Sequence, residues 1–199
     1  MVTQTYPLSL RLIHLGLVVF GITAFLTGEL AEEESQLWGY LVHAYLGLVL
    51  TFFIACRFML GFIGSTYTKF SSWVPYTRER FAIVIDDVKQ LLRIKLPEHR
   101  QHEGISALVH AFGLLLFFWM GATGTALYFI GDFESSILGE FIAEIHEVGE
   151  SLIPLFLFLH IGAVLLHTLL GHSILKRMFS FGGRETEVKI DHVEHRQSH

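Results

Sequence analysis

The sequence predicts an all-α integral membrane protein that folds as a four-helix bundle. The chain of 199 residues is 52% apolar and only 17% charged, whereas a soluble domain is typically about 25% charged. Its apolar residues gather in four stretches that are long enough to cross a bilayer of about 30 Å. Its single cysteine excludes an internal disulfide framework, a four-cysteine iron–sulfur site and covalent attachment of c-type haem.

The four stretches follow one another and define one membrane domain over residues 1–180. A charged loop at 64–104 separates the second stretch from the third, and a polar tail follows at 181–199. The first stretch lacks a clear small-x-small cleavage site, so we interpret it as a retained span and not as a signal peptide. The fourth has an apolar core at about 151–170, preceded by an acidic helical extension from about residue 137. The predicted spans are about 8–27, 37–63, 105–130 and 141–175.

Charge is distributed unequally between the two sides of the predicted bundle. The connections at 28–36 and 131–150 hold ten acidic residues and no Lys or Arg, while all fourteen basic residues lie on the other side or near it. Loops rich in Lys and Arg stay in the cytoplasm. We therefore expect both termini and the 64–104 loop to be cytoplasmic.

The 64–104 loop contains one helical pattern. Its apolar residues recur at helical spacing with basic residues near them, which predicts a short helix lying on the membrane surface. Such a helix could dock a partner or cover the bundle passively. The apolar positions are Phe81, Val84, Ile85, Val88, Leu91 and Leu92.

Histidines inside the predicted spans carry the chemistry. Ionisable groups are costly in a membrane, so each one is a candidate functional residue. On the fourth span His146 and His160 are fourteen residues apart, which puts them on about the same helix face and about 21 Å apart along the axis. The first span runs outward and the second inward, so depth pairs His14 with His160 near the cytoplasm and His43 with His146 near the outer side.

These two pairs predict two haems b per chain. A neutral imidazole on each face of a porphyrin gives a six-coordinate haem that is held without covalent attachment. Helix bundles build such sites from side chains on facing helices. We expect His14 and His160 to be the iron ligands of the inner haem, and His43 and His146 to be those of the outer haem.

Two of the other histidines in the spans, His110 and His167, have roles that the sequence does not decide. His167 lies one heptad inward of His160 and could replace it as a ligand, bond a haem propionate or lie near a quinone pocket. For His110 we expect a hydrogen-bonding role, because the two haems already have four ligands. A dinuclear zinc or iron site is a weaker alternative, because no Glu-x-x-His pair faces the bundle interior at one depth.

The chain resembles the bacterial cytochrome b561 family, together with the related cytochrome b subunits of nickel–iron hydrogenases, over about residues 6–180. The matching residues are Leu12-Ile13-His14, His43, Gly47, Arg57, His146-Glu147, His160 and His167. The resemblance implies a di-haem cytochrome whose axial ligands are the four paired histidines. It also implies that Gly47 lets a porphyrin approach the helix backbone, and that Arg57 is either a propionate partner or a snorkelling residue at the interface.

Together these features predict a cytochrome that carries electrons across the bacterial inner membrane and needs no nucleophile or acid–base pair of its own. The expected end points are the quinone pool, with ubiquinone or menaquinone as substrate, and an outer redox partner. The acidic connections favour a cationic partner such as a basic c-type cytochrome, and no nucleic-acid partner is expected. The alternatives are a superoxide:quinone-type oxidoreductase, the membrane anchor of a hydrogenase-like oxidoreductase complex and, outside redox chemistry, a histidine-lined transporter.

Overall fold

The computed structural model describes residues 6–28, 37–66, 68–93, 104–132, 135–169 and 174–179. The regular structure within these ranges is helical: α1 (Leu8–Leu26), α2 (Leu37–Ile63), α3 (Phe70–Trp73), α4 (Arg78–Leu92), α5 (Gly104–Ile130), α6 (Ile137–Leu169) and α7 (Ile174–Phe179). The helices α1, α2, α5 and α6 are each long and apolar enough to cross a membrane. The predicted all-α four-helix membrane bundle is therefore confirmed.

Local capping explains where several helices begin. Pro7 precedes α1 with φ −51° and lacks an amide hydrogen, which suits the start of a helix. Thr77 precedes α4, and its hydroxyl accepts a hydrogen bond from the backbone amide of Arg80 at 3.4 Å. Ser136 precedes α6 and accepts a hydrogen bond from the amide of Gly139 at 3.0 Å in the same way.

The longest helix, α6, is longer than a membrane crossing requires. Its 33 residues measure about 50 Å, whereas the hydrocarbon core is about 30 Å thick. Pro154 lies in the middle of this helix. Because proline has no amide hydrogen, it cannot donate to the carbonyl of residue 150, which favours a bend between the two halves of α6.

The spanning helices pack as two antiparallel hairpins. Helix α1 packs along α2, and α5 packs along α6, while contacts between α2 and α5 join the two hairpins. A small apolar core lies between α5 and α6, about midway along the bundle. Its buried members are Leu116, Met120, Ile153 and Phe156. Many other large apolar side chains of the long helices are exposed on the bundle surface, as expected for a protein surrounded by lipid.

The two ends of the bundle differ in charge. We call the end where α1 and α5 finish the acidic end, because it carries exposed Asp132, Glu140, Glu144 and Glu147. The opposite end carries α3 and α4 with exposed Arg78, Lys89 and Arg93, and we call it the basic end. Of the other six acidic residues predicted for the acidic end, Glu150 is half-buried. Glu29, Glu32, Glu33, Glu34 and Glu134, like the tail at 181–199, lie outside the described residues.

The helix predicted in the long loop is present as α4. Val84 and Asp87 are buried on the side of α4 that packs against α5, whereas Phe81, Ile85 and Val88 are exposed on a different face. Its position at a membrane surface stays a prediction.

Candidate functional site

Two pairs of histidines lie inside the bundle, one towards each end. At the acidic end the ring centres of His43 in α2 and His146 in α6 are 6.3 Å apart, with 89° between the ring planes. At the basic end the ring centres of His14 in α1 and His160 in α6 are also 6.3 Å apart, with 47° between the planes. The structure thus brings together the same partners that depth along the helices pairs in the sequence.

The spacing of both pairs fits one metal ion between two imidazoles. Within the described residues, no group of three or more His, Cys, Asp or Glu side chains could hold a metal ion. A haem iron needs only two protein ligands, because the porphyrin supplies four. With a metal–nitrogen bond of about 2 Å on each side, the two ring centres lie about 6 Å apart. The two pairs therefore fit the iron of a b-type haem, while the ligand assignment itself stays a prediction.

Hydrogen bonds fix both rings at the acidic end. Nδ1 of His43 donates to the carbonyl oxygen of Ala24 in α1 at 3.0 Å. Nδ1 of His146 lies 2.8 Å from the hydroxyl oxygen of Thr123 in α5. A Cβ atom at Gly124 would lie 3.1 Å from Cε1 of His146, so a glycine here lets the ring approach α5 closely. With Nδ1 engaged, Nε2 is the nitrogen left to bind a metal.

Packing dominates at the basic end. The ring of His160 stacks on Phe156 with a centre distance of 5.4 Å and an interplanar angle of 17°. The ring of His14 contacts Phe179 edge-on at 5.7 Å, and its Nδ1 is buried with no hydrogen-bond partner in the described part of the chain. A buried polar atom of this kind is expected where a ligand completes the site.

The two additional histidines lie near the basic-end pair. Nδ1 of His110 lies 2.6 Å from the carbonyl oxygen of Ser106, and its ring contacts His160 edge-on at 5.4 Å. The sequence analysis does not predict this contact between His110 and His160. His167 is half-buried on α6, seven residues beyond His160, and the choice among its three interpretations stays open.

Gly47 adjoins open space next to His43. It lies four residues after His43 on α2, so the two residues are on the same helix face. A Cβ atom added at Gly47 would meet nothing within 4 Å. No described protein atom therefore blocks this face at Gly47, and its role in porphyrin binding stays a prediction.

Arg57 is enclosed by the segment that follows α2. It is only 8% exposed, and its guanidinium donates to the carbonyl oxygen of Thr68 at 3.3 Å. The guanidinium carbon lies 5.1 Å from the ring centre of Phe70 and 5.8 Å from that of Trp73. A snorkelling side chain extends its charged group to water, whereas the guanidinium of Arg57 is covered by the segment that follows α2.

Sequence reasoning missed residues that approach the histidines from other positions. Thr123 lies seven residues before the end of α5, and His146 lies nine residues after the start of α6, so counting depth could have suggested their contact. Arg11 is only 5% exposed and lies three residues before His14, which places both on one face of α1. The spacing of Arg11 and His14 in the sequence indicates this shared face.

Comparison with known proteins agrees with this architecture. A family model described as prokaryotic cytochrome b561 matches residues 5–181. Searches of curated proteins and of solved structures find no significant match. The chain therefore belongs to the prokaryotic cytochrome b561 family, and it is a membrane cytochrome that binds b-type haem and takes part in electron transfer.

Proposed function

We propose that this protein carries electrons across the bacterial inner membrane through two haems b, one at each histidine pair, and links the quinone pool to a redox partner at the acidic end. The observation that supports this most is that both pairs have the same ring separation of 6.3 Å at two depths of one bundle. Bound haem supplies reversible one-electron chemistry between Fe(III) and Fe(II).

The four histidines hold the two haems in this proposal, His43 with His146 and His14 with His160. The chain contributes no nucleophile and no acid–base pair to the reaction. A guanidinium has five N–H donors, so Arg57 can bind a propionate of the inner haem in addition to Thr68.

In this proposal the basic end faces the cytoplasm, and quinone binds near it. Lys and Arg are retained on the cytoplasmic side of membrane proteins, and the exposed basic residues of α4 lie at this end. His110 and His167 also lie near this end of the bundle, so they are the candidates for contact with ubiquinone or menaquinone.

The acidic end then faces outward and meets the redox partner. Glu140, Glu144 and Glu147 are exposed on the first turns of α6, and their spacing of four and three residues puts them on one helix face. This negative face attracts a cationic partner, such as a basic c-type cytochrome or a basic oxidoreductase subunit, and it repels the superoxide anion. The charge therefore favours a protein partner over superoxide as the outer reactant.

The proposal is tested by haem content and by electron transfer in proteoliposomes. We expect two haems b per chain in a pyridine haemochrome assay, reduction of both by quinol, and transfer from quinol in the bilayer to a cationic c-type cytochrome at the acidic end. Neutralising Glu140, Glu144 and Glu147 to Gln should slow reduction of that cytochrome at low salt, while Glu79→Gln at the basic end should not. Protein with one haem or none, or haems that quinol cannot reduce, would refute the proposal.

A further inference from the structure

A chain of hydrogen bonds on α5 fixes the ring of His146. Its Nδ1 lies 2.8 Å from the hydroxyl oxygen of Thr123, which lies 2.8 Å from the carbonyl oxygen of Trp119. A hydroxyl group has one proton to donate, and a carbonyl oxygen can only accept. Thr123 therefore donates to Trp119 and accepts from the Nδ1–H of His146, which leaves Nε2 of a neutral His146 without a proton.

The partner ring is held in the same form, while the basic end differs. Nδ1 of His43 donates to the carbonyl oxygen of Ala24, so its Nε2 also lacks a proton when the ring is neutral. Nδ1 of His14 has no hydrogen-bond partner among the described residues. At the acidic end Nδ1 of both rings is hydrogen-bonded, whereas at the basic end Nδ1 of His14 is not.

This inequality has an electronic consequence for a bound iron. A hydrogen bond accepted from the second ring nitrogen orients a histidine ligand and increases its basicity. A more basic ligand stabilises oxidised iron relative to reduced iron, so hydrogen bonding of this kind lowers the reduction potential. Ala24 acts through its backbone, whereas Thr123 acts through a side chain that can be substituted.

Resting on the proposed function, we infer that Thr123 is a positioning residue for the acidic-end haem. It holds His146 in the tautomer that binds iron through Nε2, fixes the orientation of the ring and lowers the reduction potential of that haem. Thr123 acts through its hydrogen bond to His146 and is not itself an iron ligand.

Substitution of Thr123 tests this inference in the full-length haem-loaded protein. Thr123→Val conserves the shape of the side chain and removes the hydroxyl, whereas Thr123→Ser keeps it. Thr168→Val is the matched control, because Thr168 is exposed on α6 and its hydroxyl donates to the carbonyl of Val164 at 2.7 Å. The readouts are a potentiometric titration of the haem absorbance and the EPR spectrum of the oxidised low-spin haems.

We expect Thr123→Val to raise the reduction potential of one haem, to change the g values of that haem alone and to weaken its binding about 10- to 100-fold. Thr123→Ser should restore the wild-type values, and Thr168→Val should leave both haems unchanged. Thr123→Ala removes the same hydroxyl with a smaller side chain, and it gives the same test where the valine variant does not fold. Two haems with unchanged potentials and EPR spectra in these variants would overturn the inference but not the proposed function. Fewer than two haems in the wild-type protein would instead refute the proposed function.

Discussion

The carboxylate of Asp87 in α4 caps the first turn of α5, where its Oδ2 accepts a hydrogen bond from the backbone amide of Ile105 at 2.9 Å. Asp87 is only 3% exposed. Gly104 precedes Ile105 with φ +63°, and a Cβ atom there would collide with the carboxylate. The free amides and the positive dipole end of a helix N-terminus both favour an anion. This contact fixes the amphipathic helix to the start of a membrane span.

Loss of this cap should destabilise the protein without changing its haem ligands. We expect Asp87→Ala to lower the free energy of unfolding by about 0.5–2 kcal/mol, measured by thermal unfolding in detergent. The control is Asp86→Ala, because Asp86 is exposed and bonds only within α4 to Gln90 among the hydrogen bonds described. Equal loss of stability in the two variants would contradict a specific role for Asp87.

Single histidine substitutions should remove one haem at a time. His43→Ala and His146→Ala should lose the haem at the acidic end and keep much of the other, because each pair is a separate site. His14→Ala and His160→Ala should do the reverse. Haem content and redox titration of each variant measure the outcome.

Two results would change this assignment. If His160→Ala kept both haems while His167→Ala lost one, the ligand on α6 would have to move by one heptad. If His43→Ala and His160→Ala removed the same haem, the pairing by depth would be wrong.

The close approach of α5 to His146 gives a steric prediction. Gly124→Val should push the His146 ring away and reduce haem binding at the acidic end, because a Cβ atom at this position already lies 3.1 Å from Cε1 of His146. Gly162→Val is the control, since a Cβ atom there meets nothing within 4 Å. The measurement is the haem-to-protein ratio of each variant. Equal ratios in the two variants would argue against close packing of Gly124 on His146.

The orientation of the bundle can be tested with reporter fusions. Because Lys and Arg favour the cytoplasmic side, a reporter after His199 should be cytoplasmic, and one inserted near Glu33 should be external. A cytoplasmic signal from the Glu33 insertion would contradict the proposed orientation.

The fold was predictable from the sequence because membrane spans depend on length and hydropathy, which need no knowledge of tertiary contacts. The proximity of His43 to His146, and of His14 to His160, followed from the constant rise of an α-helix. Depth alone puts Thr123 level with His146, but their hydrogen bond and the contact between His110 and His160 also depend on how each helix rotates about its axis. That rotation is set by packing between helices. The burial of Arg57 depends on a loop that folds back, which no helical periodicity encodes.

The arrangement of the two hairpins has a consequence for biogenesis. Each histidine pair takes one ring from the α1–α2 hairpin and one from the α5–α6 hairpin, so each bound haem would join two separately inserted pieces of chain. Because the two helices of each hairpin pack along one another, we expect each hairpin to insert as an antiparallel unit before haem binds. Maturation would then end when haem joins the two hairpins, and in cells starved of haem the full-length chain should be degraded faster by proteases. A chain divided within residues 94–103 should reassemble from its two halves when haem is supplied.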